Sequence, residues 1–182
     1  NPEMMFHINP DAATSGPLGR MGQSWSKPTI AHVNWAGEKK LVMFVGGGYD
    51  HVGQNQGYES ATYEQKTGSE RRGAGVYMFD ADTGDLLWWA SSNVSAGDPV
   101  QPNMQKTIEH KVADLGYSVV STIKTVDRDG DNLTDHLYFG DLGGQVWRID
   151  INNFRNSEQA FATHIVRLLD LQAGINASES YK

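Results

Sequence analysis

The residues best suited to chemistry stand in one short stretch, Asp127-Arg128-Asp129-Gly130-Asp131-Asn132-Leu133-Thr134-Asp135. Carboxylates occupy loop positions 1, 3, 5 and 9, and the backbone carbonyl of Leu133 is available at position 7. Alternate side chains of a tight loop can converge on one centre, and a hard cation of calcium's size takes about 6–8 oxygen ligands at about 2.3–2.6 Å. Four acids held so close repel one another unless something neutralises them. Asp127, Asp129, Asp131 and Asp135, with the Leu133 carbonyl, are the candidate donors for one Ca2+.

The stretch departs from an EF-hand: position 12 is Tyr138 instead of a bidentate Glu, position 6 is Asn132 instead of Gly, and the flanks read as strands. Asn tolerates the left-handed conformation, so the turn stays feasible. Magnesium, which keeps several waters and near-octahedral geometry, suits this oxygen cage less well, and zinc lacks its usual Cys and paired His ligands. The plainer alternative is a metal-free Asp/Gly/Asn turn. A bound ion would tie together the two strands that the loop connects.

Those strands belong to a repeated unit. The first copy runs over about 28–92 and the second over about 117–171. Gly73-Ala74-Gly75-Val76-Tyr77-Met78-Phe79-Asp80 matches Gly143-Gly144-Gln145-Val146-Trp147-Arg148-Ile149-Asp150 in register. Two strand-like runs precede this block in each copy, and one follows it, Asp85-Leu86-Leu87-Trp88-Trp89-Ala90 in the first and His164-Ile165-Val166-Arg167-Leu168-Leu169 in the second. In the first copy the loop equivalent to 127–135, Asn34-Trp35-Ala36-Gly37-Glu38-Lys39-Lys40, lacks the acids, so one site is expected from two units. The expectation is an all-β chain of two four-stranded antiparallel blades of a modified β-propeller, one part of a larger ring, because a single blade cannot bury both of its faces. A long exposed loop is expected at 49–72, a connection with room for a short helix at 100–112, and a polar tail at 172–182.

Composition narrows the function classes. With 182 residues the chain can bury a sizeable core without external staples, and 6 Phe, 7 Tyr, 5 Trp and 20 Gly suit many short strands joined by tight turns. A formal charge of −7 with scattered basic residues argues against nucleic acid. The absence of cysteine excludes disulfides and thiol chemistry. The longest apolar run, Leu41-Val42-Met43-Phe44-Val45, is far short of the roughly 20 residues of a membrane span. An opening on Asn1-Pro2 without a signal pattern reads as part of a longer protein.

Three further features read as structural. The six histidines form no HxH or HExxH pair and single out no nucleophile–base order. Gly46-Gly47-Gly48 lacks the Lys and helix of a phosphate loop and reads as a close backbone approach at a strand end. Asp80-Ala81-Asp82-Thr83-Gly84-Asp85-Leu86-Leu87-Trp88 resembles the tryptophan-docking repeat of quinoprotein propellers, in which Asp and Thr hold a turn and Trp packs between sheets. That likeness brings an enzymatic alternative, a redox propeller using pyrroloquinoline quinone (PQQ) and calcium.

Four blocks in order, Gly22-Gln23-Ser24-Trp25-Ser26-Lys27-Pro28, Gly46-Gly47-Gly48-Tyr49-Asp50, Val76-Tyr77-Met78-Phe79-Asp80-Ala81 and Gly140-Asp141-Leu142-Gly143-Gly144-Gln145-Val146-Trp147-Arg148-Ile149-Asp150, resemble the PilY/PilC family of type IV pilus tip-associated proteins over most of 20–151. The resemblance implies a non-enzymatic propeller domain in the C-terminal part of a large secreted protein. It also implies a calcium loop, with Asp127, Asp129, Asp131, Leu133 and Asp135 as ligands, that controls pilus extension against retraction. The implied partners are minor pilins and a host or abiotic surface ligand, and the implied place is the pilus tip or outer membrane of a Gram-negative bacterium, in support of attachment and twitching motility. An Arg-Gly-Asp tripeptide, which some members carry, is absent.

Overall fold

The computed structural model describes residues 3–10, 16–50, 72–94 and 107–171. The insertion expected at 49–72 lies outside these residues apart from its ends, as does the tail 172–182. The described chain is all-β apart from short helical turns. Its strands are β1 (Thr29–Trp35), β2 (Glu38–Gly46), β3 (Val76–Asp80), β4 (Leu86–Ser91), β5 (Ile108–Lys111), β6 (Lys124–Val126), β7 (His136–Gly140), β8 (Gln145–Ile151) and β9 (Ala162–Asp170). They form two sheets in the orders β1-β2-β3-β4-β5 and β6-β7-β8-β9.

The second sheet is the expected four-stranded antiparallel meander. The first is not: a fifth strand, β5, pairs parallel to β4, with Trp88 opposite Ile108 and Ser91 opposite Lys111. Ile108–Lys111 falls within 100–112, where the sequence leaves room for a short helix, and is a strand instead. The reason lies in β4, whose six residues are all buried. A strand buried on both faces would leave its outer N–H and C=O groups without water, and β5 pairs them.

The sheets pack front to back. On β3, Val76 and Met78 enter the core shared by both sheets, whereas Tyr77 and Phe79 enter a second cluster on the opposite face. On β8 the shared core takes Trp147 and Ile149, which match Tyr77 and Phe79 in the repeat. Equivalent faces therefore point the same way in both sheets. The exposed side of the second sheet, with Val146, Arg148 and Asp150, is the counterpart of the side that the first sheet buries. At the other end, Leu18, Met21 and Val94 cover Tyr77, Phe79 and Trp89.

Trp88 is central to the join. It is fully buried, and its ring lies 5.5 Å, edge on, from Phe161, which lies 5.3 Å from Trp35. The turn before it is held as the motif implied: Asp80 Oδ1 accepts from the amides of Asp82 (2.9 Å) and Thr83 (3.2 Å), and the Thr83 hydroxyl donates to Asp85 (2.7 Å). Burial pushes the Asp80 carboxyl up, but the Lys40 hydrogen bond, those two amides and the Lys40 charge together hold it below the usual carboxylate value.

His110 on β5 stands 6.4 Å from the Trp88 ring, and burial holds its imidazole below the ordinary 6.5. Between the folded and unfolded values the unfolded chain binds the extra proton, so stability is lost as pH falls below 6.5 and levels off beneath the folded value. A melting series from about pH 7 to about pH 5 should show a declining midpoint. The decline should be shallower in His110→Gln, and an equal decline in both proteins would remove His110 from the account.

Candidate functional site

The loop between β6 and β7 is built on its own amides. Asp127 accepts from Gly130 (2.7 Å) and Asn132 (2.9 Å), Asp129 from Asp131 (3.2 Å), and Asp131 from Leu133 (2.7 Å). Each is a short local bond of the kind that folds Asp-rich turns. Gly130 and Asn132 take positive φ, +82° and +65°. Asn132 thus sits in the left-handed conformation expected of it.

One carboxylate oxygen each from Asp127, Asp129 and Asp135 lies within 4.8 Å of the others, the one such convergence of acids or histidines among the described residues. Asp127 and Asp129 are exposed and Asp135 is half-buried. The Asp131 carboxylate is not in this trio and faces the Leu133 amide. The donors are all oxygen and anionic, which suits a hard dication. In the first sheet the corresponding connection is a two-residue turn, Ala36-Gly37, with both residues at positive φ and no carboxylate. The site is thus an elaboration of a plain hairpin.

The foot of the loop is anchored from outside it. Asp135 Oδ2 accepts from the Arg128 amide (2.7 Å) and Oδ1 from Asn153 Nδ2 (3.2 Å). Asn153 also donates to the Thr134 carbonyl (3.0 Å). On its other side Asn153 accepts from Asn34 at the end of β1, through the Asn34 amide (3.2 Å) and the Asn34 side chain (2.7 Å). The Thr134 amide donates to the His32 carbonyl (2.8 Å). Sequence reasoning missed Asn153. Asn152-Asn153 is legible as a turn, but the partner Asn34 lies 119 residues away.

A second polar cluster lies on the exposed side of the second sheet. Asp150 accepts from His136 Nδ1 at 2.9 Å and from Arg148 Nη2 at 3.1 Å, with His164 Nδ1 in ion-pair range at 3.8 Å. His136 and His164 are thus engaged with a carboxylate, in keeping with their structural reading. Asp141 serves the β7–β8 turn by accepting from Trp147 Nε1 (2.8 Å) and from the amides of Gly143 and Gln145. Burial pushes its carboxyl up despite those bonds. The Gly46-Gly47-Gly48 run takes part in a backbone junction: the Gly47 amide donates to the Gly75 carbonyl and the Gly48 amide to the Val119 carbonyl. Among the described residues no helix is long and apolar enough to cross a membrane.

No protein-family model matches the chain. A curated relative, the type IV pilus biogenesis factor PilY1 of Pseudomonas aeruginosa (strain UCBPP-PA14), is 26% identical over 156 residues, which is 85% of this chain and 10% of that protein. The chain thus spans about a tenth of the relative. The crystal structure of the Pseudomonas aeruginosa PilY1 C-terminal domain covers 78% of this chain and 23% of that chain at 19% identity, with a TM-score of 0.40. The resemblance drawn from the four sequence blocks is matched by this relative, and the chain is PilY1-like in sequence over most of its length.

Proposed function

We propose that this chain is a calcium-binding portion of a β-propeller in a type IV pilus-associated surface protein, acting as a binding and regulatory module and not as a catalyst. Asp127, Asp129 and Asp135 hold the ion, and Asp131 and the Leu133 carbonyl complete its oxygen set. The observation that carries this reading is the convergence of three carboxylates within 4.8 Å on a strand-to-strand loop. Front-to-back packing of two repeated sheets supports the propeller, because that is how blades follow one another around a ring. Similarity to a pilus biogenesis factor supports the setting.

In this reading the ion neutralises clustered acids and fixes the β6–β7 connection. At a hundredfold excess over its dissociation constant it adds about 2.7 kcal/mol of stability by mass action. Pilus components such as minor pilins, and a host or abiotic surface, are the partners; the site of action is extracellular, at the pilus tip or outer membrane. There the module supports pilus extension against retraction, attachment and twitching motility.

Calorimetric titration with calcium tests the site. One saturable binding event, lost in Asp127→Ala/Asp129→Ala, is the expected result, and no heat from folded protein would reduce the loop to a turn. Tight binding of PQQ in the same experiment would favour the redox alternative that the Trp88 motif brought up.

A further inference from the structure

The bonds at the foot of the loop meet in one residue that faces both ways, Asn153. Asn153 is 9% exposed. Its Nδ2 serves the loop, through Asp135 Oδ1 and the Thr134 carbonyl. Its Oδ1 and its own carbonyl serve the first sheet, through the amide and side chain of Asn34. A buried amide with both ends occupied has no spare partner, so moving either neighbour leaves a polar group unpaired.

We propose that Asn153 is a positioning residue that couples cation binding at the loop to the docking of β1 on the second sheet. This rests on the calcium reading of the loop. Asp135 is the one member of the convergent trio with a side-chain bond from outside the loop: Asn153 holds its Oδ1, while the Arg128 amide within the loop holds Oδ2, so the orientation of the carboxylate depends in part on Asn153. Asn153 is in turn fixed by Asn34, the last but one residue of β1. The Thr134 amide bond to the His32 carbonyl runs beside this link as a second thread. An ion that favours the ordered loop therefore favours the docked β1, and by reciprocity a docked first sheet raises affinity for the ion. Thermodynamically the ion acts as a clamp between sheets, well beyond its own hairpin.

Hydrogen exchange with and without calcium, on the full chain, reads the coupling without any assay of activity. In the wild type, calcium should slow exchange of the Thr134 amide and also of the Asn34 amide on the first sheet. In Asn153→Ala the protection at Asn34 should largely vanish, and the calcium dissociation constant should rise about threefold to tenfold, the effect of one lost positioning bond. Asn34→Ala is the milder partner: it leaves every bond within the loop intact, so calcium should still protect the loop while its effect on the Asn34–Asn153 junction shrinks. Protection confined to the loop in the wild type would overturn the coupling and leave the calcium site standing. Undiminished transfer to β1 in Asn153→Ala would overturn the role of Asn153. No calcium-dependent protection anywhere would overturn the site and the coupling together.

Discussion

Trp88→Ala is expected to lower unfolding stability by about 3–5 kcal/mol, the cost of truncating a large core aromatic that its surroundings cannot refill. Trp88 is fully buried in the core shared by both sheets, where edge-on contacts link it to Phe161 and link Phe161 to Trp35. Such ring pairs contribute about 0.5–1.5 kcal/mol each beyond the area they bury. The loss therefore falls on the join between the sheets more than on β4 itself. Trp88→Phe should cost much less than Trp88→Ala, for a specific reason: Trp88 Nε1 is buried and has no hydrogen-bond partner among the described residues. Phenylalanine gives up some volume and removes that unpaired donor as well. Urea unfolding followed by circular dichroism gives both values. A loss below about 1 kcal/mol in Trp88→Ala would mean that the sheets are held by something other than this aromatic chain.

How much of this was legible depends on the range of the interactions. The eight strands of the two repeats were readable because alternation and turn residues are local, and both observed sheets contain them in the expected order. Trp88 was readable as an inter-sheet anchor because its turn, held by Asp80 and Thr83, is written within a few residues. The parallel strand Ile108–Lys111 was not, because its cause is the burial of β4 on both faces, a fact of packing and not of local sequence. In the loop, 127–135 announced its acids and its left-handed Asn132, yet three carboxylates converge and that of Asp131 turns to an amide. Spacing tells which side chains can meet, and competing amide donors decide which do. Asn153 stayed hidden for the same reason as β5: its bonds to Asn34 exist only once the sheets are packed.

Gly48→Ala should be among the most damaging glycine-to-alanine changes in the described residues, and two other glycines separate its causes. Gly48 has φ +90°, and a Cβ there would stand 2.2 Å from the Gln23 carbonyl oxygen, an atom of the backbone that cannot swing aside. It sits where the segments around Gly22, Gly73 and Val119 cross, joined by the bonds Gly22 amide to Gly47, Gly48 amide to Val119 and Val119 amide to Gly73. Gly130 has a similar φ of +82° with nothing within 4 Å of its Cβ position, so Gly130→Ala meets only the left-handed penalty, about 1–2 kcal/mol. Gly47 is free of that penalty but would bring a Cβ 2.3 Å from the Gly73 carbonyl oxygen, so Gly47→Ala isolates the collision, about 1–3 kcal/mol or more. Gly48→Ala combines both and should cost at least about 3 kcal/mol, enough to deplete soluble protein from a marginally stable domain. Melts of the three variants in calcium-free buffer should rank Gly130→Ala mildest and Gly48→Ala worst. If Gly47→Ala proved as mild as Gly130→Ala, the crossing would have to be able to open by more than an ångström at little cost, and the glycine run would then serve turn geometry alone.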